Sequence, residues 1–136
     1  MPVAHFHLTD PTPEQRREIL LRASSLYAQL LEAPMDRVRI FVQSYPAEAV
    51  ATKGEVVAEG GSPAPYFTAL TLAGRPAAQR SAITRAFTDL LAEVLEVDVA
   101  LVRGQIIEVA PENWSIGGVP ASEVRAAEIA ARQSKS

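Results

Sequence analysis

Proline at position 2 is the first residue able to do chemistry without a cofactor. Initiator methionine is generally trimmed before so small a residue, which leaves Pro2 as the amino terminus with a free secondary amine. An unperturbed α-amino group titrates near ~8. In a dry, cationic pocket it titrates lower and can act as a general base near neutral pH. Further along, the helical pattern that opens at Pro76 puts Arg75 at the N-cap. Arginine has no acceptor to offer the free N–H groups there, and its charge opposes the helix dipole. A carboxylate ligand would resolve that conflict, resting on the helix N-terminus and pairing with Arg75. Arg39 and Arg103 each interrupt a run of Val, Ile, Phe and Gln, as buried arginines that line a pocket would. Trp114 precedes Ser-Ile-Gly-Gly and reads as an aromatic cover. His5 and His7 alternate onto one strand face, but nothing supplies an obvious third ligand, so no metal is expected. Ser122 has no His–Asp pattern around it and reads as a helix cap.

Composition narrows the classes. With 136 residues the chain is one domain, or two small halves sharing a core. Hydrophobic content of 48% and charged content of 21% are those of an ordinary globule. A net charge of −3 offers no basic field for nucleic acid. Without cysteine there is no disulfide and no thiolate chemistry. No apolar run reaches the ~20 residues that span a bilayer, so no membrane role is expected. Met1 to Thr9 has no basic n-region, and cytoplasm is the default location.

The elements that must position these residues come in duplicate. Pro2-Val-Ala-His-Phe-His-Leu is answered 63 residues later by Pro65-Tyr-Phe-Thr-Ala-Leu-Thr-Leu. After a one-residue adjustment, Gln15 and Arg16 match Gln79 and Arg80 at a shift of 64. At the same shift Ile19, Leu26 and Leu30 match Ile83, Leu90 and Val94, and Val38-Arg39 matches Val102-Arg103. A shift held over three elements marks a tandem duplication. Each copy, about 2–45 and 65–118, reads strand, helix, strand, with 46–64 as a linker and a short hairpin around Lys53-Gly54. Thr12 as N-cap, Pro13 at the first helical position and Gln15 in a capping box start the first helix, which runs to about Glu32. The second copy predicts a strand over about 66–72, a helix over 76–95 and a strand over 101–109. A helix follows Ser122 to about Ala131, and 133–136 are expected to fray. Two right-handed βαβ units form an α+β fold, a four-stranded mixed sheet with two helices on one face, within one domain spanning 1–136. The uncovered face predicts an oligomer.

These residues resemble the tautomerase superfamily, and specifically a fused 4-oxalocrotonate tautomerase. The resemblance covers nearly the whole chain, twice. It implies a cofactor-independent keto-enol tautomerase, a trimer of fused chains, and a small 2-hydroxy-dienoate or enol-pyruvate carboxylate as substrate. Pro2 looks like the catalytic base. Arg75 stands where the family holds a substrate carboxylate. Arg39 and Arg103 match the strand arginine that holds a second carboxylate or an oxygen, and Trp114 matches the aromatic wall. Pro65 is internal, so its nitrogen is an amide, and the first copy has Pro11 where the helix-opening arginine would be. One site per chain is therefore expected, pairing Pro2 with Arg75 and either Arg39 or Arg103, with a subunit boundary allowed between them. Two relatives offer other chemistries. The superfamily's dehalogenases place a glutamate where this chain has Ile116. Malonate semialdehyde decarboxylase resembles it through Asp36-Arg37 and Trp114-Ser-Ile. The alternative to any enzyme is an oligomeric ligand-binding protein that keeps the fold and retains Met1.

Overall fold

The structure is a computed structural model that describes residues 1–135. The first copy contains β1 (Val3–Thr9), α1 (Pro13–Leu31), β2 (Arg39–Tyr45) and a hairpin of β3 (Ala51–Thr52) and β4 (Glu55–Val56). The second contains β5 (Tyr66–Leu72), α2 (Ala77–Leu95), β6 (Arg103–Val109) and a hairpin of β7 (Ser115–Ile116) and β8 (Val119–Pro120). Helices α3 (Ala121–Val124) and α4 (Ala126–Lys135) close the chain. The main sheet has the order β2-β1-β5-β6. β1 runs parallel to β2 and β5 parallel to β6, while β1 and β5 meet antiparallel with Val3 opposite Leu70 and His7 opposite Tyr66. The two copies thus point in opposite directions, and Pro2 and Pro65 lie at opposite ends of the sheet.

One face is dry. Ala4, Phe6 and Leu8 alternate inward from β1, and Phe67 and Ala69 from β5, all essentially fully buried. They meet the apolar stripes of the helices, Ile19, Ala23, Tyr27 and Leu31 on α1 and Ile83, Phe87, Leu90 and Leu91 on α2. Phe87 is the hub, with edge-on contacts to Phe6 and Tyr27 at 5.1 Å and to Phe67 at 5.6 Å. Such ring pairs are worth ~0.5–1.5 kcal/mol each beyond the area they bury. Gly104 lets β6 approach this cluster, since a Cβ there would run into the Phe67 ring. The Tyr27 hydroxyl donates to Leu70 O at 2.5 Å and lies 3.4 Å from Val3 O, and burial raises its pKa. The opposite face carries polar and aromatic side chains. His5 stacks on Phe41, His7 shares a 2.7 Å hydrogen bond with Tyr45, and Gln105 donates to the Tyr66 hydroxyl.

The structure alters the sequence reading in several places. Segment 46–64 is more than a connector. Its 3₁₀ turn Ala47–Ala49, its hairpin and its turn Val57–Glu59 recur 64 residues on as Pro111–Asn113, the β7–β8 hairpin and α3. Val57 N–H to Val50 O and Ala121 N–H to Trp114 O, both 2.8 Å, are the same bond in the two copies. The second helix starts at Ala77 with Pro76 as its N-cap, so Arg75 stands one residue outside it. Ser122 is inside α3, which Pro120 precedes, and caps nothing. The C-terminal helix kinks at Arg125 and continues through Lys135, beyond Ala131 and through much of the segment expected to fray. Ser136 lies outside the described residues. Among the described residues no helix is long and apolar enough to cross a membrane.

Candidate active site

The cleft at the start of β1 is assembled from both copies. Pro2 is buried at its floor, and its carbonyl accepts from Arg39 N–H at 3.0 Å, which ties the chain start to β2. Because β5 runs antiparallel to β1, its end delivers Thr71 and Leu72 beside Pro2. The β5–α2 turn adds Arg75, and the β7 region adds Trp114 and Ile116.

Arg75 reaches the cleft because of the one-residue offset between the copies. Strands β1 and β5 match at a shift of 63, whereas α1 and α2 match at 64. The extra residue falls between Ala73 and Pro76, where Gly74-Arg75 replaces Pro11. Gly74 has φ of 107°, a conformation natural to glycine. The Arg75 guanidinium does not sit on its own helix. Nη1 donates to Leu31 O at 2.8 Å and lies 3.3 Å from Gln79 Oε1. Leu31 ends α1, a helix with no basic residue of its own in the last turn, so Arg75 meets the negative end of the other copy's dipole. The conflict expected at an arginine N-cap does not arise. Burial, then Arg132, lowers the Arg75 pKa.

Arg39 and Arg103 behave as twins. Arg39 Nη1 folds back on Asp36 O at 2.8 Å and Val38 O at 3.1 Å. Arg103 Nη1 does the same with Ala100 O at 2.6 Å and Val102 O at 3.1 Å. Both are exposed, against the expectation of buried arginines. Arg39 lines a wider opening next to Met1 and Trp114. Arg103 N–H donates to Pro65 O, so this arginine stands at the far end of the sheet, away from the Pro2 of its own chain. The structure therefore gathers Pro2, Arg75 and Trp114, sets Arg39 at the rim and leaves Arg103 outside.

Four cleft residues escaped sequence reasoning, and a fifth, Arg37, was noticed only for a resemblance. Arg125, Glu128 and Arg132 come from the C-terminal segment. Their spacing of three and four residues puts them on one helical face, a legible signal in a tail read as capping and fraying. Arg37 donates to Glu128 through both terminal nitrogens, at 2.9 and 2.8 Å, and so fastens α4 over the cleft. The hydrogen bonds from Arg37 hold the Glu128 carboxyl below its usual range. The fourth is Thr71, 1% exposed, whose hydroxyl has no hydrogen-bond partner among the described residues. Its counterpart in the first copy is Leu8, so an apolar position has become a buried hydroxyl. Leaving that group unpaired costs ~1–3 kcal/mol.

The electrostatics favour a neutral amine. The α-amino group of Met1, at the edge of this cleft, has its pKa lowered from 8.0 to about 6. Burial is the main cause, followed by Arg125, Arg37, Arg39 and Arg75. The equivalent place at the other end of the sheet has none of this. There Pro65 lies with Thr9, Asp10, Gln15, Leu95 and Val97, and its nitrogen is a peptide amide. Gln15 Nε2 donates to Val94 O at 3.3 Å near the end of α2, an uncharged version of the Arg75 contact.

No protein-family model matches the sequence, and no curated protein matches it. Solved structures do. A native fused 4-OT superposes with a TM-score of 0.85 at 25% identity, over 91% of this chain and 99% of that one. A wild-type fused 4-OT solved as a symmetric trimer gives 0.82 at 23%, over 90% and 98%. Pt0534, solved after inactivation by 2-oxo-3-pentynoate, gives 0.82 at 22%, over 90% and 98%. The element order, the sheet topology and the doubled βαβ unit are common ground, and in fold the chain is a fused 4-OT-like protein of the tautomerase superfamily.

Proposed function

We propose that the protein is a cofactor-independent keto-enol tautomerase whose base is the free amine of Pro2 after Met1 is removed. The observation that carries this reading is the cleft's effect on an amine, lowered to about 6 one residue ahead of Pro2. Neutral Pro2 takes the hydroxyl proton of an enol, and the resulting ammonium returns that proton to carbon, so no redox partner is needed. Arg75 orients the substrate carboxylate. Arg39 supports the charge that grows on oxygen, with Arg103 of a neighbouring chain as the alternative in an assembled particle. Trp114 narrows the cleft and keeps water out, which keeps the amine weakly basic. The working form is a homotrimer, the state in which a similar fused 4-OT was solved. The domain is read as one unit spanning 1–136.

A second reading, decarboxylation of a 3-oxo acid with protonated Pro2 as acid, is favoured by one feature: Asp36 and Arg37 line the opening beside Met1 and Trp114.

Intact mass is expected to show the chain without Met1. With 2-hydroxymuconate, kcat/KM should rise through a pKa below the ordinary ~8 of an amino terminus and level above it, because only the neutral amine accepts a proton. Pro2→Ala should lower kcat by orders of magnitude. 2-Oxo-3-pentynoate should leave an adduct that peptide mapping puts on Pro2. Retained Met1, or an adduct elsewhere, overturns the reading in favour of a ligand-binding protein. Release of CO2 from malonate semialdehyde, without ketonisation of enols, selects the decarboxylase.

A further inference from the structure

The cleft arginines differ in what already satisfies them. Arg37 is held by both oxygens of Glu128, and Arg39 by its own backbone carbonyls. Arg75 has two acceptors on Nη1. Arg132 lies 3.8 Å from Glu128. Arg125 is half-buried, lines both the Pro2 cleft and its wider opening, and its guanidinium has no acceptor among the described residues. Its backbone is fixed, because it forms the joint between α3 and α4. Its N–H donates to Ala121 O at 2.7 Å, and its carbonyl accepts from Ile129 N–H at 3.0 Å. Glu128 is within electrostatic reach of Arg125 but gives both oxygens to Arg37, so a half-buried cation on a fixed backbone keeps its N–H donors open to an anionic ligand. The orphan Thr71 hydroxyl lining the same cleft is an independent sign that a ligand oxygen completes it.

We propose that Arg125 is the specificity-determining residue of the cleft, taking the carboxylate at the end of the substrate remote from the one held by Arg75. The C-terminal segment then selects dicarboxylates over monocarboxylates. Glu128, by occupying Arg37, leaves Arg125 the open cation on that side. Arg125 is also the largest charge contribution to the lowered amine beside Pro2, which puts it within electrostatic reach of the reacting end.

This inference rests on reading the cleft as the substrate site, but it can be tested without turnover. Muconate and sorbate share a six-carbon diene and differ in carrying two carboxylates or one, and neither has an enol proton to transfer. By calorimetry, the full chain should bind muconate more tightly than sorbate. Arg125→Gln should weaken muconate at least about tenfold, the loss of one charge-assisted contact, while sorbate changes less than about twofold. Arg125→Lys should recover part of the muconate affinity, which separates lost charge from lost fold. Arg17→Gln, on the exposed face of α1, should change neither. Equal losses for both ligands, an unchanged muconate affinity, or a wild-type protein that does not prefer muconate each overturn the proposal. Binding with the expected selectivity alongside an inert Pro2 would sink the tautomerase reading and leave the role of Arg125 standing.

Discussion

Arg75 shows how far a residue can be read before its surroundings are known. Its singularity was visible, since the twin helix begins with Thr12 and Pro13 and this one with an arginine before a proline. The reason for its place was not. A one-residue offset lifts it off its own helix and sets it on the last carbonyls of α1, a contact between residues 44 apart in the chain that no local pattern encodes. The consequence for mutation follows. At an N-cap, Arg75→Ser would stabilise the helix. One residue outside it, with Nη1 on Leu31 O, the same change removes a charge-assisted bond and a favourable dipole contact worth ~1–3 kcal/mol together. The melting temperature should fall by a few degrees. In the same variant, kcat/KM for a carboxylate substrate should drop at least about tenfold. A raised melting temperature would show that the Leu31 contact does not form. Thr71 was legible in a subtler way, as the one position where the two central strands trade leucine for a hydroxyl beside the cleft.

Among the elements, the paired βαβ units were the most legible. Capping signals, apolar stripes and a constant shift all pointed to one architecture, and the sheet order and helix spans follow it. The tail was the least legible. Its charged face, Arg125, Glu128 and Arg132, was there to read, but its position depends on Arg37–Glu128, a pair spanning 91 residues. That pair makes α4 testable as an element. Glu128→Gln should leave α1 and α2 protected while amide exchange in 126–135 accelerates, since a partly exposed ion pair contributes only about 1 kcal/mol. Acid should act in the same direction. The Glu128 carboxyl is held below 4.5, so its contribution is complete above that pH and is lost as pH falls through the depressed value. Unchanged exchange in the variant would mean that α4 is held by packing alone.

For the whole molecule, the bare sheet face remains the feature that most needs a partner. Phe41 is 53% exposed there, stacked on His5, and further aromatic and amide groups surround it. Sedimentation should give about three chains per particle, and Phe41→Glu should shift it towards single chains by burying an unpaired charge in the contact. A wild-type monomer at micromolar concentration would refute the trimer. The fusion itself has a further consequence. Two separate identical units related by a twofold axis must present the same residues at both ends of their shared sheet. A covalent tandem lifts that constraint. A change made for one end is not copied to the other, so Arg75, Trp114 and Arg125 can gather around Pro2 while Asp10 and Gln15 occupy the mirror place beside Pro65. Joining two copies breaks that symmetry, and the end whose proline nitrogen is a peptide amide has neither the helix-opening arginine nor the aromatic before the hairpin, carrying Pro11 and Val50 in their places.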